Sequence, residues 1–236
     1  MTRDLLTRTI DRPSDAALPE TMPRREWLVT NGLGGYAAGT VAGVLTRRHH
    51  GLLVASLPAP LGRVVMLNHL RERVRVRGQD AYWLGDDDEA LPAATEDRHG
   101  RLVEFRLELG LPVWLYECGD VRIEKRIVMP HGQNTVHVTY RLAAGEGPVR
   151  LALRPSVHFR GYEDPVTASS EWPYAVVADG EAYEVRAPDR FPPLRVRLDA
   201  PHGSLVLDVR TTSGVPYPVE ASRGYEAEGA LWSFGY

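Results

Sequence analysis

Apolar residues recur at every second position along much of this chain, and the runs are cut at short intervals by Gly, Pro, Asn and Asp. A period of two sends successive side chains to opposite sides of a sheet, so the pattern selects strands over helices. In "VEFRLEL" Phe105, Leu107 and Leu109 share one face, and in "TVHVTYRL" Val136, Val138, Tyr140 and Leu142 do the same. "VRLALRP" and "LRVRLDA" repeat the alternation, with Arg150, Arg154, Arg195 and Arg197 on the solvent side. The turn segments "AAGEGP", "APDRFPP" and "APHGS" bound these runs. No window of ten or more residues keeps apolar positions at helical spacing without Gly or Pro interrupting it, so few or no helices are expected. The predicted fold is all-β, a large antiparallel β-sandwich of the supersandwich kind. With 236 residues and 43% hydrophobic content the chain can bury a real core.

Residues 1–24 mix charges, prolines and scattered leucines and read as a loosely ordered lead-in with at most one short strand, whereas 25–236 read as one β-sandwich domain. The acidic stretch Gly85 to Asp97 is expected to be an exposed loop. With 28 basic and 31 acidic side chains the net charge is -3, which favours neither nucleic acid nor an anionic membrane as a partner. Cys118 is the only cysteine, so an intramolecular disulfide and a thiolate metal cluster are both ruled out, which fits a reducing cytoplasm. The first residues lack the apolar core of a signal peptide, and no stretch approaches the roughly 18 apolar residues of a membrane helix. The sequence calls for no metal and no cofactor, and the expected location is cytoplasmic.

The densest run of unusual residues lies between Glu26 and Ala55. "NGLGGY" lacks the order of a dinucleotide loop and the Lys-Ser/Thr pair of a phosphate cradle, so Gly32, Gly34 and Gly35 read as providers of positive φ or close backbone approach. "TRRHHGLLVAS" sets four long polar side chains before an apolar run. On a strand, Arg47 and His49 would face one way and Arg48 and His50 the other, so the two histidines would not grip one metal ion. Two roles stay open for this motif: a solvated strand edge, or a pocket in which a guanidinium fork binds paired hydroxyls or orients a carboxylate. Two loops group aromatics with charge in the way sugar sites do. "RPSVHFRGYED" carries His158, Arg160, Tyr162, Glu163 and Asp164, and "YPVEASRGYEAEG" carries Tyr217, Glu220, Arg223, Tyr225 and Glu226. A carboxylate pair for glycoside hydrolysis cannot be picked by motif, because its criterion is a separation in space.

Taken together these segments have a familiar order. The stretch from Glu26 to Val74, with its Trp, "NGLGGY", "TRRHHGLL" and "GR" before an apolar run, closely resembles the start of the bacterial and archaeal type of glycogen debranching enzyme. "KRIVMPHGQNTVHVTYRL", "LALRPSVHFRGY" and "VEASRGYEAEGALWSFGY" resemble later segments of the same family, so the likeness runs from about Trp27 to the end. The chain departs from the family at His49, where a Tyr is usual, at Glu163 and Asp164, where a His is usual, and in "EAEG", where an acidic pair is thinned.

The resemblance implies a β-sandwich amino-terminal domain preceding an α/α-barrel beyond Tyr236. That barrel would carry the amylo-α-1,6-glucosidase acids, so no catalytic residue is expected in this chain. The implied partners are the carboxy-terminal barrel and an α-glucan such as glycogen or limit dextrin. Asn31, Arg47, Arg48, His50, Arg160, Tyr162, Glu220 and Arg223 are the residues implied to hold sugar hydroxyls or to position the barrel. A purely structural module that stabilises the barrel without touching glycan is the alternative, and a hydrolase site within this chain is a third.

Overall fold

Strand follows strand from Thr7 to Gly235, with one short helix among the described residues. The computed structural model describes residues 7–11, 25–78, 81–85, 98–168, 174–180, 182–187, 191–200 and 202–236. The expected exposed loop from Gly85 to Asp97 lies outside them except for Gly85, which is buried, and so does most of the lead-in at 1–24, although the lead-in does contribute strand β1 (Thr7–Asp11).

The first sheet is a five-stranded meander in the order β1, β9 (Arg101–Glu108), β10 (Leu111–Cys118), β11 (Val121–Val128), β12 (His137–Ala144), antiparallel throughout. A second five-stranded sheet holds β2 (Glu26–Thr30), β3 (Tyr36–Thr40), β4 (Gly51–Ser56) and β5 (Arg63–Leu67), with β14 (Arg160–Gly161) on its far edge. A six-stranded sheet runs β18 (Leu207–Pro216), β19 (Glu228–Gly235), β13 (Val149–Val157), β6 (His69–Val76), β7 (Ala81–Leu84) and β8 (Arg98–His99), and only its β7–β8 pair is parallel. A small sheet of β15 (Ala175–Asp179), β16 (Ala182–Arg186) and β17 (Leu194–Arg197) completes the set. The all-β, mainly antiparallel sandwich expected from the alternation is therefore what the chain forms, with the five-residue helix α1 (Pro218–Ser222) as its helical element.

The sheets close on one apolar core. Trp27 of β2 meets Trp114 of β10 edge-on at 5.3 Å between ring centroids, and Phe105 of β9 also packs on Trp114, at 5.1 Å. Each buried indole N–H has a carbonyl to bond: Trp27 donates to Thr40 at 3.1 Å and Trp114 to Val41 at 3.0 Å. The Trp114 bond ties the first two sheets together, and neither indole is left as a buried donor without a partner.

Three side chains expected on particular faces lie elsewhere. Leu109 does not join Phe105 inside: it is 74% exposed, because β9 ends at Glu108 and Leu109–Gly110 form a two-residue hairpin loop with φ of 53° and 82°. Positive φ at both central positions matches the strand twist, and this outweighs the apolar side chain. Leu142 is 42% exposed on the edge strand β12. Arg154 is not on an open surface, since its side chain is only 15% exposed. The neighbouring β18–β19 pair brings Asp208 to 2.5 Å from its guanidinium, and the centroid of the Tyr236 ring lies 5.3 Å away. Arg150, Arg195 and Arg197 are exposed as the alternation requires.

Candidate functional site

The glycine-rich turn is the first piece of the site's frame. Asn31, completely buried, accepts hydrogen bonds through Oδ1 from the N–H groups of Leu33 (2.9 Å) and Gly35 (3.0 Å). Its Nδ2 donates to the Gln133 carbonyl at 2.9 Å and to Asn134 Oδ1 at 3.0 Å, joining "NGLGG" to the turn after β11. Gly32 and Gly34 have φ of 78° and 96°, and a Cβ at Gly35 would sit 2.7 Å from Asn31 Nδ2 and 2.9 Å from the Val54 carbonyl. Turn geometry thus accounts for these glycines.

The "TRRHH" segment is not a strand. It forms a tight turn before β4, in which the His50 N–H donates to the Arg47 carbonyl at 3.0 Å. The expected alternation of faces gives way to a fan in which each side chain has its own neighbour. His50 is buried, with Nδ1 accepting from the Thr46 N–H at 3.3 Å and Nε2 3.3 Å from Glu26 Oε1. Arg47 Nε reaches the same carboxylate oxygen at 2.5 Å. Burial pulls the His50 pKa down to about 4 despite the opposing pull of Glu26. The His49 ring instead stacks on Tyr162, with centroids 4.3 Å apart and planes 11° from parallel.

Three segments far apart in sequence meet at Arg48. Its backbone N–H donates to Glu220 Oε1 at 3.1 Å, and its Nε lies 4.0 Å from Glu220 Oε2. Its terminal nitrogens reach the Glu163 carbonyl at 3.3 Å and the Glu163 carboxylate at 3.2 Å. The guanidinium lies over the Tyr225 ring, 5.1 Å from its centroid. Arg160, 1% exposed, donates to the Arg48 carbonyl and to the Asp164 carbonyl (3.3 Å), while Asp164 Oδ2 accepts from the Gly161 N–H at 2.8 Å. Burial pulls the Arg160 pKa below its usual range, and the positive charge of Arg48 adds to that. Helix α1 is pinned to the turn by a bond from the Val219 N–H to the Thr46 carbonyl at 3.0 Å, which carries the fully buried Glu220 under Arg48. Arg48 Nε, His49 Nε2 and Arg160 Nε are buried with no hydrogen-bond partner of their own.

Beyond this buried layer is a partly open rim. Tyr225 is 56% exposed, Arg223 and Glu163 are exposed, and Tyr162 is half-buried between His49, the Tyr36 ring (6.3 Å, edge-on) and the Arg63 guanidinium (5.4 Å). Aromatic faces and guanidinium donors set side by side can hold a polyol ring by its apolar face and its hydroxyls. Among the described residues no group of three or more His, Cys, Asp or Glu is placed to hold a metal ion, and no helix is long and apolar enough to cross a membrane.

Residues 25–236 match the family described as glycogen debranching enzyme N terminal. The chain belongs to that family. Comparison with curated proteins and with solved structures gave no match.

In this debranching-enzyme N-terminal domain, the eight residues singled out from the motifs divide by burial. Arg48, Arg160 and Glu220 come together with Tyr162 close by, and Arg223 stands at the exposed end of α1. Arg47 and His50 share Glu26 next to that cluster, while Asn31 is committed to the glycine turn. Sequence reasoning passed over Glu26, Tyr36 and Arg63: Tyr36 and Arg63 have no charged or aromatic neighbour in their own motifs to mark them, and Glu26, although it lies between Arg25 and Trp27, meets Arg47 and His50 only through the fold. Tyr36 donates its hydroxyl to the His49 carbonyl at 2.8 Å, so it supports the stacked ring from below.

Proposed function

We propose that this domain is the non-catalytic part of a glycogen debranching enzyme that positions a branched α-glucan beside an amylo-α-1,6-glucosidase barrel. The reading rests on one observation: the Arg48 guanidinium that caps the exposed Tyr225 ring also bonds Glu163, and Arg48 and Glu163 are the chain neighbours of the stacked His49 and Tyr162. Residues from three separated segments supply that rim, and the contacts of Arg48 with the buried Arg160 and Glu220 hold it in place. A prebuilt platform is what sugar recognition favours, because little side-chain freedom remains to be lost on binding.

Calorimetric titration of the chain with panose and with maltotetraose tests this. Saturable binding that weakens in Tyr225→Ala supports it; no heat at millimolar glycan overturns it. A second reading has its own observation in favour. Asn31, His50, Arg160 and Glu220 are all at most 3% exposed and engaged within the chain, as a module that only braces the barrel would have them. Under that reading Tyr225→Ala lowers the affinity of the domain for a separately produced barrel and leaves glycan heats absent.

A further inference from the structure

The rim does not end with its own sheet. Strand β5 runs into β6 through the single residue Asn68, and β13 runs into β14 through His158 and Phe159, so these strands form one antiparallel ribbon that joins the second sheet to the six-stranded one. Asn68 pins the junction: its N–H donates to the Ser156 carbonyl at 3.0 Å, and its Oδ1 accepts from the His158 N–H at 2.6 Å. Val64, Val74, Val76, Val157 and Phe159 turn to the core. Alternation therefore sends Arg71, Arg73 and Arg75 of β6 and Arg150 and Arg154 of β13 to the other side, the side that carries Arg63 and Arg160 at the rim. From Arg63 to Arg75 the ribbon measures at most about 40 Å.

This arginine track is not balanced by acids. The register sets Arg75 directly opposite Arg150 and Arg71 opposite Arg154, and like charges so placed destabilise a sheet. Arg71 and Arg73 have contacts of their own, with Arg73 over the Trp83 ring at 5.7 Å from its centroid. Arg154 and Arg210 share one carboxylate, Asp208, at 2.5 and 2.9 Å. Arg75 and Arg150 are exposed and pair with no carboxylate among the described residues. The outer face of the first sheet is built the other way. There Arg106 pairs with Glu108 and Glu124, both at 2.7 Å, Arg141 pairs with Glu124 at 3.1 Å, and Arg101 and Arg122 share Glu117 at 2.6 and 3.1 Å. One face neutralises itself; the other keeps its positive charge.

A positive face selects an anionic partner. The chain as a whole carries a net charge of -3, so a long polyanion that would meet the rest of the surface too is disfavoured, and a partner acidic over one face is favoured. Contacts between domains cover about 600–1,500 Å², roughly 25–40 Å across, so a domain seated at the rim also reaches the track. Trp83 and Tyr236, against which Arg73 and Arg154 lie, add the aromatic residues that such contacts favour alongside Arg. We propose that the arginine track is a docking face for an acidic surface of the glucosidase barrel, continuous with the rim. That the partner is the barrel rests on the reading above; the unbalanced charge and its place beside the rim do not.

The test is calorimetric titration of the chain with the separately produced barrel at about 0.1 M and about 0.5 M salt, with panose titrated into the same samples. Arg75→Glu combined with Arg150→Glu reverses the track, and Arg101→Glu combined with Arg122→Glu changes the same charge on the opposite face. Barrel affinity is expected to fall about tenfold or more in the first variant, to stay near wild type in the second, and to weaken with salt, while panose heats are the same in all three. Arg75→Gln with Arg150→Gln, which adds no negative charge, is expected to fall between wild type and the first variant, and an unchanged urea midpoint shows that each variant is folded. Equal barrel affinity in wild type and the track variant overturns the proposal and leaves the barrel reading standing. Equal loss in both Glu variants overturns it too, since bulk charge alone would then be at work. If wild type ignores the barrel, this proposal and the barrel as partner both fall, and the panose heats decide the rim separately. Binding of poly(U) that the track variant loses, without barrel binding, overturns it in favour of nucleic acid.

Discussion

Replacing Glu220 separates the two things this carboxylate does. Its Oε1 accepts the Arg48 N–H at 3.1 Å, and its charge lies 4.0 Å from Arg48 Nε in a place 1% exposed to solvent. Glu220→Ala removes the acceptor and the negative charge together, and leaves the Arg48 N–H and guanidinium without them. Removing one member of a fully buried ion pair costs about 3–5 kcal/mol; Arg48 is 20% exposed and keeps Glu163, so about 2–3 kcal/mol is expected here. Glu220→Gln keeps an oxygen for the Arg48 N–H and loses only the charge, so it should cost about 1–2 kcal/mol, the difference between a charged and a neutral hydrogen bond. Glu163→Ala is the control: that carboxylate also pairs with Arg48, at 3.2 Å, but is 73% exposed, and an exposed pair contributes about 0–1 kcal/mol. In urea unfolding, Glu220→Ala should lose the most stability, Glu220→Gln less and Glu163→Ala the least. Because the first two effects arise in a desolvated site, they persist at about 1 M salt, where screening would erase a surface effect. If Glu220→Ala costs no more than Glu163→Ala, the cluster is not a desolvated network and the account of the rim as prebuilt falls.

Other consequences are open to measurement. Leu109→Asn places a residue tolerant of positive φ in the β9–β10 loop, so stability should rise by about 1 kcal/mol and the melting temperature by about 2–4 °C; a fall would mean that Leu109 has packing its 74% exposure does not suggest. Asn31→Ala strips the glycine turn of four hydrogen bonds and should cost about 2–4 kcal/mol in chemical denaturation. His50 has a folded pKa of about 4 against 6.5 for the free side chain, so the unfolded chain takes up the proton first. Its contribution is therefore fully present above pH 6.5 and is lost as pH falls towards about 4. Replacing it by Gln should flatten the pH dependence of stability in that window, and an unchanged slope would count against the burial argument.

The strands were legible because alternation is a local property. Phe105 and Val138 turn inward as their spacing demands, and Arg195 and Arg197 turn outward. The glycine turn was legible too, since positive φ at Gly32 and Gly34 is written into the residue type. Leu109 and Arg154 were misread for opposite reasons: a hairpin loop needs φ values that override hydrophobicity, and a neighbouring strand can cover a charge that its own strand leaves exposed. The "TRRHH" segment shows the limit most plainly. Its polar residues mimic a strand edge, but the fold bends them into a turn because Glu26, Glu163 and Glu220 wait there as partners.

The sequence by itself determined the sheet class, the glycine turn and the family, because each is written in residues near one another in the chain. Only the tertiary structure decided which charges are buried and paired. Arg48 and Glu220 are separated by 172 positions, and the low dielectric that gives their contact its strength exists only once the sheets have closed around it.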